Sequence, residues 1–277
     1  MKHIIIPVDF SANALLASQI GHQIAKQVNG KITILHAYQP FQSNFQSAGA
    51  NLKDSIRSEE EAKGELASFS EKFNSVIEND GTLEVEFLAE RGLIQDALEV
   101  LHKKDPIDLV IMGTTGASGI KFHLGSNTYE IARKTSFPLL IVPPSTQVIA
   151  PKNIGYFTDF QLGDLKVLHS LSSLFEESTI HYQLIHIIKN KVNLEGATEK
   201  LQALRTELQH NLTEINLQEQ VFIGEENIDT INSIIDQTGT DLIALCLVKK
   251  SFWAKFREKS LAKEIILKAG KPIFVYN

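Results

Sequence analysis

The chain opens with an unbroken apolar run, Ile4, Ile5 and Ile6, that closes on Pro7-Val8-Asp9. A short aliphatic run stopped by an acid predicts a strand over residues 4–8, buried on both faces. Ser11 then caps a helix reaching about residue 28, because Leu16, Ile20, Ile24 and Val28 recur every four residues on one face. Asn29-Gly30 stops that helix, and residues 32–37 form a second strand. Residues 40–52 are polar and read as a loop. The acid-rich stretch 54–77 reads as a second, largely solvated helix. A strand over 83–89, a helix over 94–101, a strand over 109–112, a helix over 127–134 and a strand over Leu139–Val142 follow. The stretch from Pro143-Pro144 to Pro151 is a linker. Strands alternating with helices call for a parallel sheet covered on both faces, an α/β doubly wound arrangement.

The pattern then recurs. His3-Ile4-Ile5-Ile6-Pro7-Val8-Asp9-Phe10 falls on Asn153-Ile154-Gly155-Tyr156-Phe157-Thr158-Asp159-Phe160, 150 residues later. At the same offset, Ile34-Leu35-His36-Ala37 falls on Leu184-Ile185-His186-Ile187. Asp108-Leu109-Val110-Ile111-Met112 falls on Asp241-Leu242-Ile243-Ala244-Leu245, offset by 133, and Pro138-Leu139-Leu140-Ile141-Val142 on Pro272-Ile273-Phe274-Val275-Tyr276, offset by 134. Four ordered matches describe a duplication whose second copy is shorter in its middle. The expected organisation is two tandem domains, 1–145 and 150–277, each a five-stranded parallel sheet flanked by helices.

Composition agrees: 277 residues with 43% hydrophobic and 22% charged side chains give each half a core of its own. The only cysteine is Cys246, which excludes a disulfide framework and a cysteine zinc site. The aliphatic run near the start is too short for a signal-peptide core or a membrane span, so a cytoplasmic location without membrane association is expected. Net charge is −6, divided −4 and −2 between residues 1–150 and 151–277, which gives no general attraction to nucleic acid or anionic lipid.

Candidate chemistry concentrates in the stretch from Met112 and Gly113 to Thr128, with further glycines at 116, 119 and 125. It leaves the carboxyl end of a buried strand and ends at a helix start. Glycines there let backbone approach a ligand, and the free amides of a helix start favour phosphate. Ser126 and Thr128 add hydroxyls, and Asn127 with Glu130 would cap the helix. Neither G-x-x-x-x-G-K-[ST] nor G-x-G-x-x-G is present, so from glycine spacing alone a plain strand-to-helix turn and a phosphate loop stand level.

Ile6-Pro7-Val8-Asp9, the strand ending Leu35-His36-Ala37, Asp108 through Gly113, the glycine loop and Phe137 through Val142 together resemble the universal stress protein family. The resemblance covers the chain as two tandem copies, strong in the first and eroded in the second. It implies an adenine-nucleotide alpha-hydrolase-like fold, ATP as ligand (with magnesium where the phosphates require it) and a nucleotide-dependent stress or signalling response. The motif of ATP-binding members, G-x2-G-x9-G-[ST], is met at Gly113 and Gly116, but only eight residues separate Gly116 from Gly125. By resemblance, Asp9 with Pro7 would meet the adenosine, Ala37 would offer backbone to adenine, and Met112 and Gly113 would line the ribose. Gly116, Gly125, Ser126 and Asn127 would hold phosphates. In the second copy Gly113 becomes Cys246, Gly116 becomes Lys249 and Gly125 becomes Lys259, with Phe252 and Trp253 between, so no ATP is expected there. Single-copy members pair through their last strands, which implies an internal pseudo-dimer through Leu139–Val142 and Ile273–Tyr276, with homodimerisation left open. The competing readings are a protein–protein interaction module that has lost nucleotide, with an unidentified protein partner, and a slow ATP hydrolase.

Other candidates have plainer readings. His36 and His186 at matching strand ends read as fold residues rather than a paired metal or catalytic site. Cys246 reads as a buried thiol, Asp9 and Asp159 as binding rather than catalytic acids, and Glu59-Glu60-Glu61 as a solvated face. Residues 249–271 hold eight basic and two acidic side chains with Phe252, Trp253 and Phe256 interleaved. They read as a solvated helix before an anion-binding surface.

Overall fold

A computed structural model describes residues 1–40, 47–77, 81–114, 137–160, 163–176, 178–211, 216–246, 265 and 268–276. The first half contains β1 (His3–Pro7), α1 (Ala12–Gln27), β2 (Lys31–Tyr38), α2 (Ala48–Val76), β3 (Val85–Arg91), α3 (Ile94–Lys104), β4 (Leu109–Gly113) and β5 (Leu139–Val142). The second contains β6 (Asn153–Phe157), α4 (Asp164–Leu174), β7 (His181–Ile188), α5 (Leu194–Asn211), β8 (Asn216–Ile223), α6 (Ile228–Thr238), β9 (Leu242–Cys246) and β10 (Ile273–Tyr276). The helix expected over 127–134 lies outside the described residues.

Local chemistry explains the boundaries. Ser11 caps α1 as its position predicts, its side chain accepting from the Ala14 amide at 3.1 Å. The loop expected over 40–52 is in part helical: Ser47 accepts from the Ala50 amide and starts α2 at Ala48. The polar sequence hid this turn, because the run after Ser47 carries no apolar period. β3 lies two residues further on than the expected 83–89. Its end is set by the Gly92 amide, which donates to the Tyr38 carbonyl at 2.9 Å. α2 buries only the stripe Ala62, Leu66, Phe69 and Phe73, in line with a largely solvated helix.

Among the described residues, ten strands form one sheet in the order β3-β2-β1-β4-β5-β10-β9-β6-β7-β8. Neighbours are parallel except β5 and β10, which pair antiparallel with Ile141 opposite Ile273, Leu140 opposite Phe274 and Leu139 opposite Val275. In the repeat, Leu140 and Phe274 are equivalent positions, so this register is what a local two-fold axis through that pair requires. One apolar layer joins Ile4, Ile6, Leu140, Phe274 and Ile154 to α1, α2 and α4. The other joins Ile5, Val110, Ile141, Ile273 and Ile243 to α3 and α6. Both layers run through the centre, making the halves share a core on each face of the sheet. Polar ties reinforce the junction: Gln27 donates to the Pro151 carbonyl at 2.8 Å, Ser178 to the Gln27 carbonyl at 3.0 Å, and Lys2 pairs with Glu176 at 3.2 Å.

The repeated Asp-Leu segment has a fold role. Asp108 Oδ2 accepts from the first amide of β1, His3 N, at 2.7 Å, and Asp241 accepts from the Lys152 and Asn153 amides at 3.0–3.2 Å where β6 begins. Each acid thereby fixes the first strand of its half against the fourth.

His3 adds a pH-sensitive point to this end of the sheet. It is buried, its Nε2 lies 2.9 Å from Thr33 Oγ1, and its Nδ1 faces Asp105 Oδ2 at 3.1 Å. Asp105 in turn holds Lys31 at 2.6 Å. Burial lowers the His3 pKa and the Lys31 charge lowers it further, against an opposing pull from Asp105, Asp108 and Glu86. The unfolded chain therefore binds a proton on His3 at a pH where the folded chain does not. Stability is then highest above about pH 6.5 and falls as pH drops toward the lowered folded value. Urea titrations between pH 8 and pH 5 should show this decline, and His3→Gln should flatten it. An equal slope in both proteins would assign the pH dependence elsewhere.

Candidate functional site

The carboxyl ends of β1 and β4 lie side by side, with Ile4 opposite Leu109 and Ile5 opposite Val110. Continuing that register brings Pro7 level with Met112. After β1 the chain turns toward β2, on one side, while β4 is followed in the sheet by β5 on the other. This is the topological switch point, where doubly wound sheets form a ligand crevice.

The turn after β1 is built tightly. Phe10 has φ 63°, a left-handed conformation that a non-glycine residue holds at a cost of roughly 1–3 kcal/mol. Its ring lies 4.3 Å from the His36 ring, and His36 Nδ1 is 3.0 Å from the Val8 carbonyl oxygen. The second half repeats this device: Phe160 has φ 54°, its ring is 4.4 Å from His186, and His186 Nδ1 is 2.9 Å from the Thr158 carbonyl. Both histidines thus hold strand ends. The turn leaves Asp9 exposed at the mouth of the crevice, one carboxylate oxygen accepting from the Ser11 amide at 3.2 Å.

The sequence-derived residues divide into two groups. Pro7, Asp9, Met112 and Gly113 come together at the ends of β1 and β4, and Ala37 lies half-buried near the end of adjacent β2. Gly116, Gly125, Ser126 and Asn127 lie outside the described residues, as do Lys249, Phe252, Trp253 and Lys259 of the second copy. Among the described residues no group of histidine, cysteine and acidic side chains is arranged to hold a metal ion. Likewise, no described helix is long and apolar enough to cross a membrane. Cys246 is buried.

Sequence reasoning missed Asn13. This buried side chain, in the first turn of α1, donates to the Val142 carbonyl at 3.2 Å. It also packs on Gly113 so closely that a Cβ there would come 2.4 Å from Asn13 Nδ2 and 3.2 Å from its backbone carbonyl carbon. Gly113 is therefore required by the packing of Asn13. The signal lay in the repeat: Asn13 and Gly113 fall on Gly163 and Cys246, so the larger side chain changes sides. Asn13 Oδ1 and Thr114 Oγ1, beside this contact, are buried without a hydrogen-bond partner among the described residues.

The second crevice has a different interior. Where the first half has Ile6, Val8 and Ala14, the second has Tyr156, Thr158 and Asp164. Tyr156 donates to Asp164 Oδ1 at 2.7 Å, Thr158 donates to Asp164 Oδ2, and the Phe160 amide donates to Thr158 Oγ1 at 2.9 Å. Burial first, and the neighbouring Asp164 carboxylate second, push the Tyr156 phenol well above its ordinary pKa. A buried polar network ties the start of α4 to the end of β6 there.

A doubly wound parallel half-sheet covered by helices on both faces defines a Rossmann-like α/β protein. A family model described as the universal stress protein family matches residues 1–143, and the chain belongs to that family. Among solved structures it is similar to a universal stress protein from Archaeoglobus fulgidus DSM 4304, 15% identical over 99% of this chain and 98% of that one, TM-score 0.64. It is also similar to the cytoplasmic domain of a prokaryotic cation chloride cotransporter, 14% identical over 99% and 94% of the two chains, TM-score 0.50. A universal stress protein solved in complex with cAMP is 28% identical over 51% of this chain and 96% of that one, TM-score 0.38. Curated protein sequences give no match.

The size exchange can be tested by a double-mutant cycle. Gly113→Cys alone should cost about 1–3 kcal/mol, because the new side chain meets Asn13 and adjacent helix backbone. In an Asn13→Gly background the same change should cost measurably less, with a coupling of at least 0.5 kcal/mol by urea unfolding. Additive costs would show that the two positions do not share space.

Proposed function

We propose that the first copy, residues 1–145, binds ATP across the β1–β4 crevice and that the second copy, 150–277, is a structural partner without nucleotide. Nucleotide occupancy would then serve a stress or signalling response. The observation that carries this reading is the placement of exposed Asp9 beside Gly113 at the switch point. The residues fit an adenosine moiety: Asp9 offers a carboxylate acceptor for ribose hydroxyls or the adenine amine. Half-exposed Gly113 lets backbone approach, and Ala37 presents a strand end without a bulky side chain. Gly116, Gly125, Ser126 and Asn127 would hold the phosphates, with magnesium as counter-ion. In the second copy the Tyr156–Thr158–Asp164 network and the loss of every loop glycine argue against the same ligand.

A second reading has its own observation. The loop is one residue short of the family's ATP motif, which favours an interaction module that no longer takes nucleotide. The fold permits either, since function resides in sites and not in architecture. Calorimetry with ATP and magnesium distinguishes them. We expect one saturable site per chain, weakened at least tenfold by Asp9→Ala and unchanged by Asp159→Ala. Absence of heat at millimolar ATP would overturn nucleotide binding and leave the interaction module. Release of inorganic phosphate on long incubation would add slow hydrolysis.

A further inference from the structure

The two copies differ at one surface position in a way that marks a second site. Phe10 and Phe160 occupy equivalent turns and stack on equivalent histidines. The helices in front of them register by their buried stripes. Ala62, Leu66, Phe69 and Phe73 of α2 fall on Ala197, Leu201, half-buried Leu204 and Leu208 of α5, all at one offset. That register sets Glu65 on Lys200.

In the second copy Lys200 Nζ lies 5.7 Å from the centroid of the Phe160 ring, within cation–π range. In the first copy the corresponding space is an open cavity of about 450 Å³, lined by Phe10, Phe69, Glu61, Glu65, Ser68 and Lys72. An aromatic ring whose twin lies under an ammonium here shares a cavity with a carboxylate, Glu65, at the helix position equivalent to Lys200. Glu61 is ion-paired with Arg57 at 2.7 Å, so Glu65 supplies the countercharge. Lys72 stands two turns further along α2, about 10 Å away along the helix axis. That spacing disfavours a long polycation and suits a compact head group.

We propose that this cavity binds a small primary alkylammonium, its charged head over Phe10 where the twin copy holds Lys200 over Phe160. The volume is that of a small-molecule site. Two attractions act on the same atom: the ring quadrupole and the Glu65 carboxylate. The site lies in the groove between Phe10 and α2, next along the chain from Asp9.

The test is an NMR titration of the full chain with n-butylammonium, using 1-butanol as a neutral probe of the same length. Saturable shifts at Phe10 and Glu65 in the millimolar range with the amine, and none with the alcohol, are expected. Glu65→Lys should weaken the amine at least tenfold, because it supplies the occupant that Lys200 provides in the other copy, where that arrangement folds. Glu71→Lys makes the same charge change on the same helix outside the cavity and should alter binding less than twofold. The proposal is overturned by absence of saturable shifts, by equal response to the alcohol, or by Glu65→Lys binding like the parent. Equal weakening in both variants would also overturn it, since that would be general surface electrostatics.

Discussion

The antiparallel pairing of β5 with β10 is the constraint on which the rest of the molecule depends. Either five-stranded half alone would end in a short, fully apolar edge strand, Leu139–Val142 or Ile273–Tyr276, the kind of edge that natural sheets must cover. Pairing the two edges removes both. It also makes each apolar layer continuous across the sheet, so Leu140, Ile141, Ile273 and Phe274 are almost completely buried. At roughly 1.5–3 kcal/mol for each such side chain, this short seam contributes a large share of the net stability of a domain. The centred register then fixes the symmetry: Leu140 opposite Phe274 leaves equivalent strands at equal distances on either side. The carboxyl ends of β1 and β6 become two related crevices.

What the two halves share on either side of that seam is backbone geometry. Phe10 and Phe160 hold positive φ, His36 and His186 hold the strand end, and Asp108 and Asp241 hold the start of the first strand. Ring packing against the histidine, about 0.5–1.5 kcal/mol for an aromatic pair, offsets part of the strain in each turn. The acid preceding each phenylalanine sits within this frame, Asp9 accepting from the Ser11 amide. Asp9 and Asp159 can thus keep their positions while the chemistry around them changes.

Much of this was legible in the sequence because strand burial is written as unbroken aliphatic runs. The runs at Ile4, Ile32, Leu109 and Leu139, with their later counterparts, mark the strands along the chain and the likeness of the two halves, but not the order in which the sheet places them. Ser11 was legible because a capping hydroxyl precedes a clear four-residue period. The start of α2 was not, since Ala48 to Leu52 carry no such period and the Ser47 cap shows only in three dimensions. Of the candidate site, Pro7, Asp9, Met112 and Gly113 could be placed because they terminate identifiable strands. Asn13 could not: its part is to fill the space above a glycine a hundred residues away, and only the exchange with Gly163 and Cys246 hints at it.

The two copies show how one frame supports unlike interiors. In the first, Ile6, Val8, Ala14 and Gly113 near the crevice are small or apolar, and the polar groups are buried Asn13 and Thr114 and exposed Asp9. In the second, Asp164 enters the first turn of α4, where a negative charge is favoured by the helix dipole, and takes hydrogen bonds from Tyr156 and Thr158. A carboxylate built into the chain thus stands at a helix start, the kind of position at which the other copy would receive a ligand's charge. A comparable exchange recurs above the aromatic turn, where Lys200 stands over Phe160 while Glu65 lines the cavity beside Phe10, whose ring packs on His36 and Phe69. Both differences run in one direction: Asp164 and Lys200 set the chain's own charges against Tyr156, Thr158 and Phe160, where the first copy has Ala14 and Glu65.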